Sequence, residues 1–502
     1  MSRFDMYWLF SGPLCLLACS LWPIPGLSPT ASQVVGVALW MVLWWVRETV
    51  PLAVTSLLPM ILFPLFGISS ADAATAPYAN PLIFMFFGGF CLSIALEKTG
   101  LHRHIAQATL ARIGRSAPQQ LAALMAITAF LSMWMSNTAT AVMMLPIALA
   151  MIASRPPSEQ PLQAPAMLLG VAYASSIGGI ATLIGTPPNA LLAAFVAKTY
   201  DIQLGFGQWM LFALPLAASL LLVCWAWLSF GYYKLQRLGT PLDASPSGAP
   251  SELPEHTSVL TSAHTSVLTP VQRSVALIFT LTALCWIIQP LLSRWTGLAF
   301  SDTVIALCAA LALFIWPVSQ APALCNQLAP SSPASNAHLG SRSPILSWQD
   351  CDKLPWGVLL LFGGGLSLAA QLQQHGVSTA IAQLFQGLDG VSAVLVIACT
   401  ALMMVFLTEL TSNTAVAAAF LPILGPVAES LGLSPLYLLV PAALAASLGF
   451  MMPVGTPPNA IVFASGKLPI GDMLKAGFVV NLLGVLLLTV WSYCFIPWWL
   501  AL

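Results

Sequence analysis

Ser136-Asn137-Thr138-Ala139 and, 276 positions on, Ser412-Asn413-Thr414-Ala415 are one phrase written twice in a chain that is otherwise close to continuous hydrocarbon. A second phrase, Gly185-Thr186-Pro187-Pro188-Asn189-Ala190, returns unchanged as Gly455-Thr456-Pro457-Pro458-Asn459-Ala460. Polar interruptions of apolar segments at matching places in two halves mark a transporter's binding site. The fold is therefore read outward from these four points.

The 276-residue offset holds without a gap over a long stretch. Gly88-Gly89 falls on Gly364-Gly365, Gly100 on Gly376, Ser132 on Thr408, and Leu145-Pro146-Ile147 on Leu421-Pro422-Ile423. Beyond these it shortens to 270, the spacing of Gly185 and Gly455. A helix needs about 20 apolar residues to cross a bilayer. Segments 6–24, 31–46, 50–66, 80–96, 164–198 and 208–230 meet that need in the first half, and 273–293, 301–318, 354–372, 435–465 and 472–500 in the second. Two further stretches, 119–153 and 390–428, turn polar midway at a Ser-Asn-Thr; each has room for two short helices, and both are read as re-entrant hairpins. The expectation is an all-α polytopic membrane protein of about eleven transmembrane helices plus two hairpins. Related halves separated by an odd number of crossings lie upside down to one another, so spans 2–6 correspond to spans 7–11.

Composition agrees. Hydrophobic residues make up 58% and charged ones 6%, with a mean hydropathy of +0.88, against about a quarter charged in a soluble domain. Zero net charge gives no electrostatic footprint for nucleic acid. The ten Cys show no CxxC spacing and sit mostly in apolar runs, as small buried hydrophobes. Only Arg3 precedes the first apolar run, which reads as an uncleaved span. The Pro/Ser/His-rich segments 239–270 and 319–347 read as linkers. With the N-terminus inside and the C-terminus outside, every Lys and Arg except Lys198 and Arg294 falls on the cytoplasmic side. With no N-x-S/T acceptor in the chain, a bacterial inner membrane is the simplest compartment.

A Gly-Thr-Pro-Pro-Asn inside an apolar run breaks a helix, because neither proline donates and both clash with the preceding turn. Broken backbone at membrane depth survives inside protein or around a watery cavity. Its freed carbonyls suit a hard cation such as Na⁺, and the amides of the half-helix suit an anion. Ser, Thr and Asn at the hairpin tips add neutral donors and acceptors. The four motifs contain no Lys, Arg or His, so a dianion there is neutralised by helix ends, hydroxyls and co-bound cations. A lone Ser-Asn-Thr is more often interhelical glue, and a lone Pro-Pro a kink; the doubling of both in register favours a site. Glu409, an ionisable residue in the second hairpin with Met133 as its counterpart, reads equally as a structural or a proton-linked carboxylate. Arg47-Glu48 reads as an ion pair or interface anchor, and His102 and His104 as part of an interfacial helix face.

These motifs, with the early run Trp44-Trp45-Val46-Arg47-Glu48-Thr49-Val50-Pro51 and Thr55 to Pro59, resemble the divalent anion:sodium symporter family, carriers of dicarboxylates, citrate or sulfate. The resemblance covers about residues 31–490 outside the linkers. It implies a homodimer working as an elevator: scaffold spans 1–4 in 1–118 and 7–9 in 271–389, and a moving block of hairpins and spans in 119–238 and 390–502, with 239–270 a cytoplasmic linker. It implies one Na⁺ at Ser132, Ser136, Asn137 and Gly185 and a second at Thr408, Thr411, Asn413 and Gly455. It implies substrate contacts at Ser136, Asn137, Thr138, Thr186, Ser412, Asn413, Thr414, Thr456 and Pro457. The leading expectation is Na⁺-coupled symport of a C4-dicarboxylate such as succinate, malate or fumarate. A sulfate or tricarboxylate symporter uses the same motifs, and an antiporter or a proton-coupled carrier would use Glu409. Composition alone also admits a channel. An enzyme is disfavoured: the chain has no paired catalytic carboxylates, no HExxH and no nucleophile beside a base.

Overall fold

The computed structural model describes residues 3–110, 116–238, 268–319, 342–384 and 391–500; most of both linker segments lies outside them. In chain order the helices begin with α1 (Arg3–Leu21), α2 (Pro29–Arg47), α3 (Leu52–Thr55), α4 (Leu58–Leu65), α5 (Ala71–Thr75), α6 (Pro81–Thr99) and α7 (Leu101–Leu110). There follow α8 (Ala117–Ser132), α9 (Asn137–Ala153), α10 (Gln160–Ile180), α11 (Pro187–Tyr200) and α12 (Phe206–Ala226). The second half has α13 (Pro270–Ile287), α14 (Gln289–Thr296), α15 (Asp302–Ile315), α16 (Trp356–Gln374) and α17 (Val377–Leu384). It closes with α18 (Ala393–Thr408), α19 (Asn413–Ser430), α20 (Leu436–Ala445), α21 (Pro457–Phe463) and α22 (Ile470–Leu500). A short antiparallel ribbon, β1 (Pro317–Ser319) with β2 (Arg342–Pro344), pairs Val318 with Ser343. Among the described residues six helices are long and apolar enough to cross a membrane by length and composition, and shorter apolar helices accompany them.

The chain forms two units, one of Met1–Ile83, Ile113–Ser251 and Trp356–Leu502, the other of Phe84–Arg112 and Glu252–Pro355. In the first, both Ser-Asn-Thr phrases sit at turns between short helices. Helix α8 ends at Ser132 and α9 begins at Asn137, capped by Ser136, whose hydroxyl accepts from the Ala139 amide at 3.2 Å. Helices α18 and α19 repeat this around Ser412. Both Gly-Thr-Pro-Pro-Asn phrases interrupt helices: α10 stops at Ile180 and α11 resumes at Pro187, α20 stops at Ala445 and α21 resumes at Pro457. Each resuming helix opens on two prolines, where a missing N–H costs nothing because the first turn has no partner for it.

Packing joins the halves reciprocally. Helix α11 lies against α19 and α20, and α21 lies against α9 and α10, so each outgoing half-helix leans on the hairpin of the other repeat. Helix α10 is buried from Gln163 to Ile180, with the Tyr173 ring tilted against Phe450 at 4.9 Å between centroids. At the open end of the first hairpin Arg155 donates to Gln120 (3.0 Å) and to Glu159 (3.3 Å), tying α8 to the α9–α10 connection.

Some single spans prove to be two helices. Segment 50–66 divides at Ser56-Leu57 into α3 and α4, because Pro59 cannot donate back into the preceding turn. Segment 273–293 divides into α13 and α14 at Ile288, just before Pro290. Arg47 lies over the Trp8 ring, 4.6 Å from its centroid, while Glu48 is a left-handed C-cap. Cys308, Cys399 and Cys494 are exposed rather than buried; on an apolar helix surface a thiol needs no partner.

In the second unit, His102 Nδ1 is 2.7 Å from the Leu96 carbonyl, joining the first turn of α7 to the end of α6. Lys98 Nζ meets Asp350 Oδ2 at 2.7 Å, and the Ser347 amide and hydroxyl donate to the same oxygen at 2.7 and 2.9 Å. Burial acts to raise the Asp350 carboxyl, but the hydrogen bonds from Lys98 and Ser347 outweigh it and hold the group below its ordinary value. A carboxyl depressed by folding stabilises above its unfolded value of about 3.9 and loses that contribution as pH falls through the lower folded value. Asp350→Asn is therefore expected to melt below the parent at pH 7, the gap closing as thermal unfolding is repeated towards pH 3.

Candidate anion and cation site

The first tip is held by Ser132, the last residue of α8. Its hydroxyl oxygen lies 2.6 Å from the Ser175 carbonyl and 2.8 Å from Asn137 Oδ1. A serine hydroxyl has one proton, so it serves one of these acceptors and leaves the other contact without positive charge. The second half repeats the arrangement: Thr408 Oγ1 lies 2.5 Å from Asn413 Oδ1 and 2.8 Å from the Ala446 carbonyl. In each half a hydroxyl, a backbone carbonyl and an amide oxygen converge on one proton, so the cluster carries more acceptors than donors.

The break closes the same space. A methyl group on Gly179 would stand 2.4 Å from Asn137 Oδ1 and 3.1 Å from the Gly185 carbonyl oxygen, so glycine leaves open the gap that these oxygens share. Asn189, fully buried, donates from Nδ2 to the carbonyls of Thr182 (2.8 Å), Ile180 (3.2 Å) and Gly179 (3.3 Å), bracing the unwound 181–186 segment. Asn459 does the same in the second half, reaching Gly449 and Met452 at 3.0 Å each. Among the described residues neither Oδ1 atom, both buried, has a donor.

The two tips are fastened to their breaks differently. In the first half the Thr182 hydroxyl donates to the Met133 carbonyl at 2.5 Å and accepts from the Gly185 amide at 3.1 Å. In the second, the Glu409 carboxylate accepts from the amides of Phe450, Met451 and Met452 and from Asn481 Nδ2. Across the repeats, Thr186 Oγ1 meets Ser447 Oγ at 3.4 Å. Thr456, at the matching position, caps its own helix by accepting from the Asn459 amide.

Of the expected site residues, Ser132, Asn137 and Gly185 come together, as do Thr408 and Asn413. Gly455 lies beside Glu409. Thr411 donates to the Leu407 carbonyl at 2.9 Å. Ser136, Thr138 and Pro457 are exposed, Ser412 and Asn413 half-buried, and Thr186, Thr414 and Thr456 buried. Among the described residues Ser136, Thr138, Ser412 and Thr414 make no hydrogen bond to one another across the repeats. Sequence reasoning missed Thr182, Ser447 and Asn481, which carry no motif, and passed over Asn189 and Asn459 as bracing residues although both stand in the repeated phrase.

The model of the sodium:sulfate symporter transmembrane region matches residues 8–502. The sodium-dependent dicarboxylate transporter SdcS of Staphylococcus saprophyticus is 34% identical over 501 residues, covering 97% of this chain and 91% of that protein. Its namesake from Staphylococcus aureus (strain USA300) is 35% identical with the same coverage. Among solved structures, MtrF of Neisseria gonorrhoeae aligns with a TM-score of 0.57 at 14% identity, covering 98% of this chain and 96% of that one. The YdaH transporter of Alcanivorax borkumensis aligns with a TM-score of 0.52 at 14% identity, covering 92% and 98%. At that identity the likeness concerns the fold alone.

Proposed function

This chain belongs to the sodium:sulfate symporter family, and from that membership we propose that it is a sodium-coupled carrier of C4-dicarboxylates such as succinate, malate or fumarate. The observation that carries the reading is the pair of oxygen clusters, each short of positive charge, built from the repeated phrases. Sodium is held at Ser132, Ser136, Asn137 and Gly185 in one half and at Thr408, Thr411, Asn413 and Gly455 in the other. The anion's carboxylates lie against the tips at Ser136 to Thr138 and Ser412 to Thr414 and against Thr186, Thr456 and Pro457. With no basic residue in these motifs, the dianion is neutralised by its sodium companions, which is the physical origin of coupling. The relatives named for sodium-dependent dicarboxylate transport favour a dicarboxylate over sulfate or citrate.

The reading extends to an inverted repeat of about eleven spans and two re-entrant hairpins in the bacterial inner membrane, N-terminus inside and C-terminus outside. A homodimer moves the α8–α12 and α18–α22 block as an elevator. The test is uptake of labelled succinate by proteoliposomes under an inward Na⁺ gradient, against K⁺, with unlabelled fumarate, citrate and sulfate as competitors. Na⁺-dependent uptake blocked by fumarate is the expected result; uptake indifferent to Na⁺, or blocked only by sulfate, overturns it.

A further inference from the structure

We propose that Glu409 makes the two cation sites unequal: its carboxylate beside Gly455 makes the second site the tighter one, and sodium fills it first. This rests on the sodium-coupled reading above.

Glu409 is 3% exposed. Its Oε1 accepts from the amides of Phe450 (2.7 Å) and Met451 (2.8 Å) and from Asn481 Nδ2 (2.6 Å), and its Oε2 from the Met452 amide (2.8 Å). Each of these partners is a donor, the pattern that a carboxylate takes. All four donors are neutral dipoles, and among the described residues no Lys or Arg forms an ion pair with it. A methyl group on Gly455 would lie 3.1 Å from Oε2, so the charge stands against the glycine of the second cation set.

The first half does the same fastening without a charge. Met133 stands where Glu409 does, and Thr182 where Met452 does. A hydroxyl on the break facing methionine on the tip is exchanged for a carboxylate on the tip facing methionine on the break. Both pairs secure unwound backbone. Only one leaves a buried anion uncompensated, and a nearby cation gains from it because the surroundings screen little.

The exchange can be undone. Glu409→Met with Met452→Thr gives the second half the neutral fastening of the first, and Met133→Glu with Thr182→Met does the reverse. Sodium binding is read, without any organic anion, as the Na⁺-dependent rise in unfolding temperature of the purified protein, with KCl as ionic control. The first exchange is expected to raise half-saturating Na⁺ about tenfold or more, a loss of about 1.4 kcal/mol per tenfold, and the reverse exchange to lower it. A folded first exchange with the parent's half-saturation overturns the proposal. Should that variant not fold, a reverse exchange without a shift overturns it, and Glu409→Gln reads removal of the charge at constant shape. A parent stabilised by Na⁺ that carries no succinate sinks the carrier reading and leaves this one standing. A succinate carrier whose first exchange keeps the parent's Na⁺ response sinks this one alone.

Discussion

Gly185→Ala is expected to lose sodium-driven uptake by about a hundredfold, some 2.7 kcal/mol, while the protein is still recovered folded. The β-carbon would lie 2.4 Å from the Gly179 carbonyl oxygen and 2.9 Å from its α-carbon, so it meets backbone rather than the end of a flexible side chain. Relief requires the 181–186 segment to move away from the end of α10. That movement takes the Gly185 carbonyl off the gap facing Asn137 and pulls the Thr182 hydroxyl from the Met133 carbonyl. Gly455→Ala is the internal control. There the nearest atoms are Glu409 Oε2 at 3.1 Å and Glu409 backbone at 3.3 Å, contacts that yield by a few tenths of an ångström. Uptake by the two variants at saturating Na⁺, normalised to folded protein from size-exclusion profiles, is expected to rank Gly185→Ala well below Gly455→Ala. Equal activity would mean that the carbonyl of the first break does not serve the ion.

The repeated phrases announced where the backbone turns and breaks, because proline and the polar tip residues constrain local conformation directly. Ser132 and Thr408 were legible as a matched pair for the same reason, lying inside the ungapped 276-residue register. The fastening of tip to break was not legible. It joins Met133 to Thr182 in one half and Glu409 to 450–452 in the other, across the point where the register shortens to 270, and it uses opposite chemistry in the two halves. Asn481 enters from the long last helix with no sequence signal beyond being a lone amide in an apolar run. The divided span at 50–66 escaped for another reason: a hydropathy window registers its apolar length but not the donor that Pro59 lacks.

Asn189→Leu, which keeps the volume nearly constant, is expected to destabilise by about 2–6 kcal/mol. Removing the carboxamide deprives carbonyls at a buried break of their donor, and a buried acceptor left unpaired costs about 1–3 kcal/mol. The Ile180 carbonyl is partly insured, since Trp209 Nε1 also donates to it at 3.1 Å. Gly179 and Thr182 carry the loss. Asn459→Leu is expected to cost less, because the Met452 carbonyl keeps the Gly455 amide at 3.1 Å and only Gly449 is stranded. Asn189→Asp keeps the shape but turns an acceptor towards acceptors, so it is expected to fall at or below Asn189→Leu. Thermal unfolding of the three purified variants in one detergent ranks them. An Asn189→Leu protein as stable as the parent, or an inverted order of the two leucine variants, would mean that the break is held by packing of α11 against α19 and α20 rather than by its amide, and that the oxygen geometry around Gly185 is a consequence of that packing.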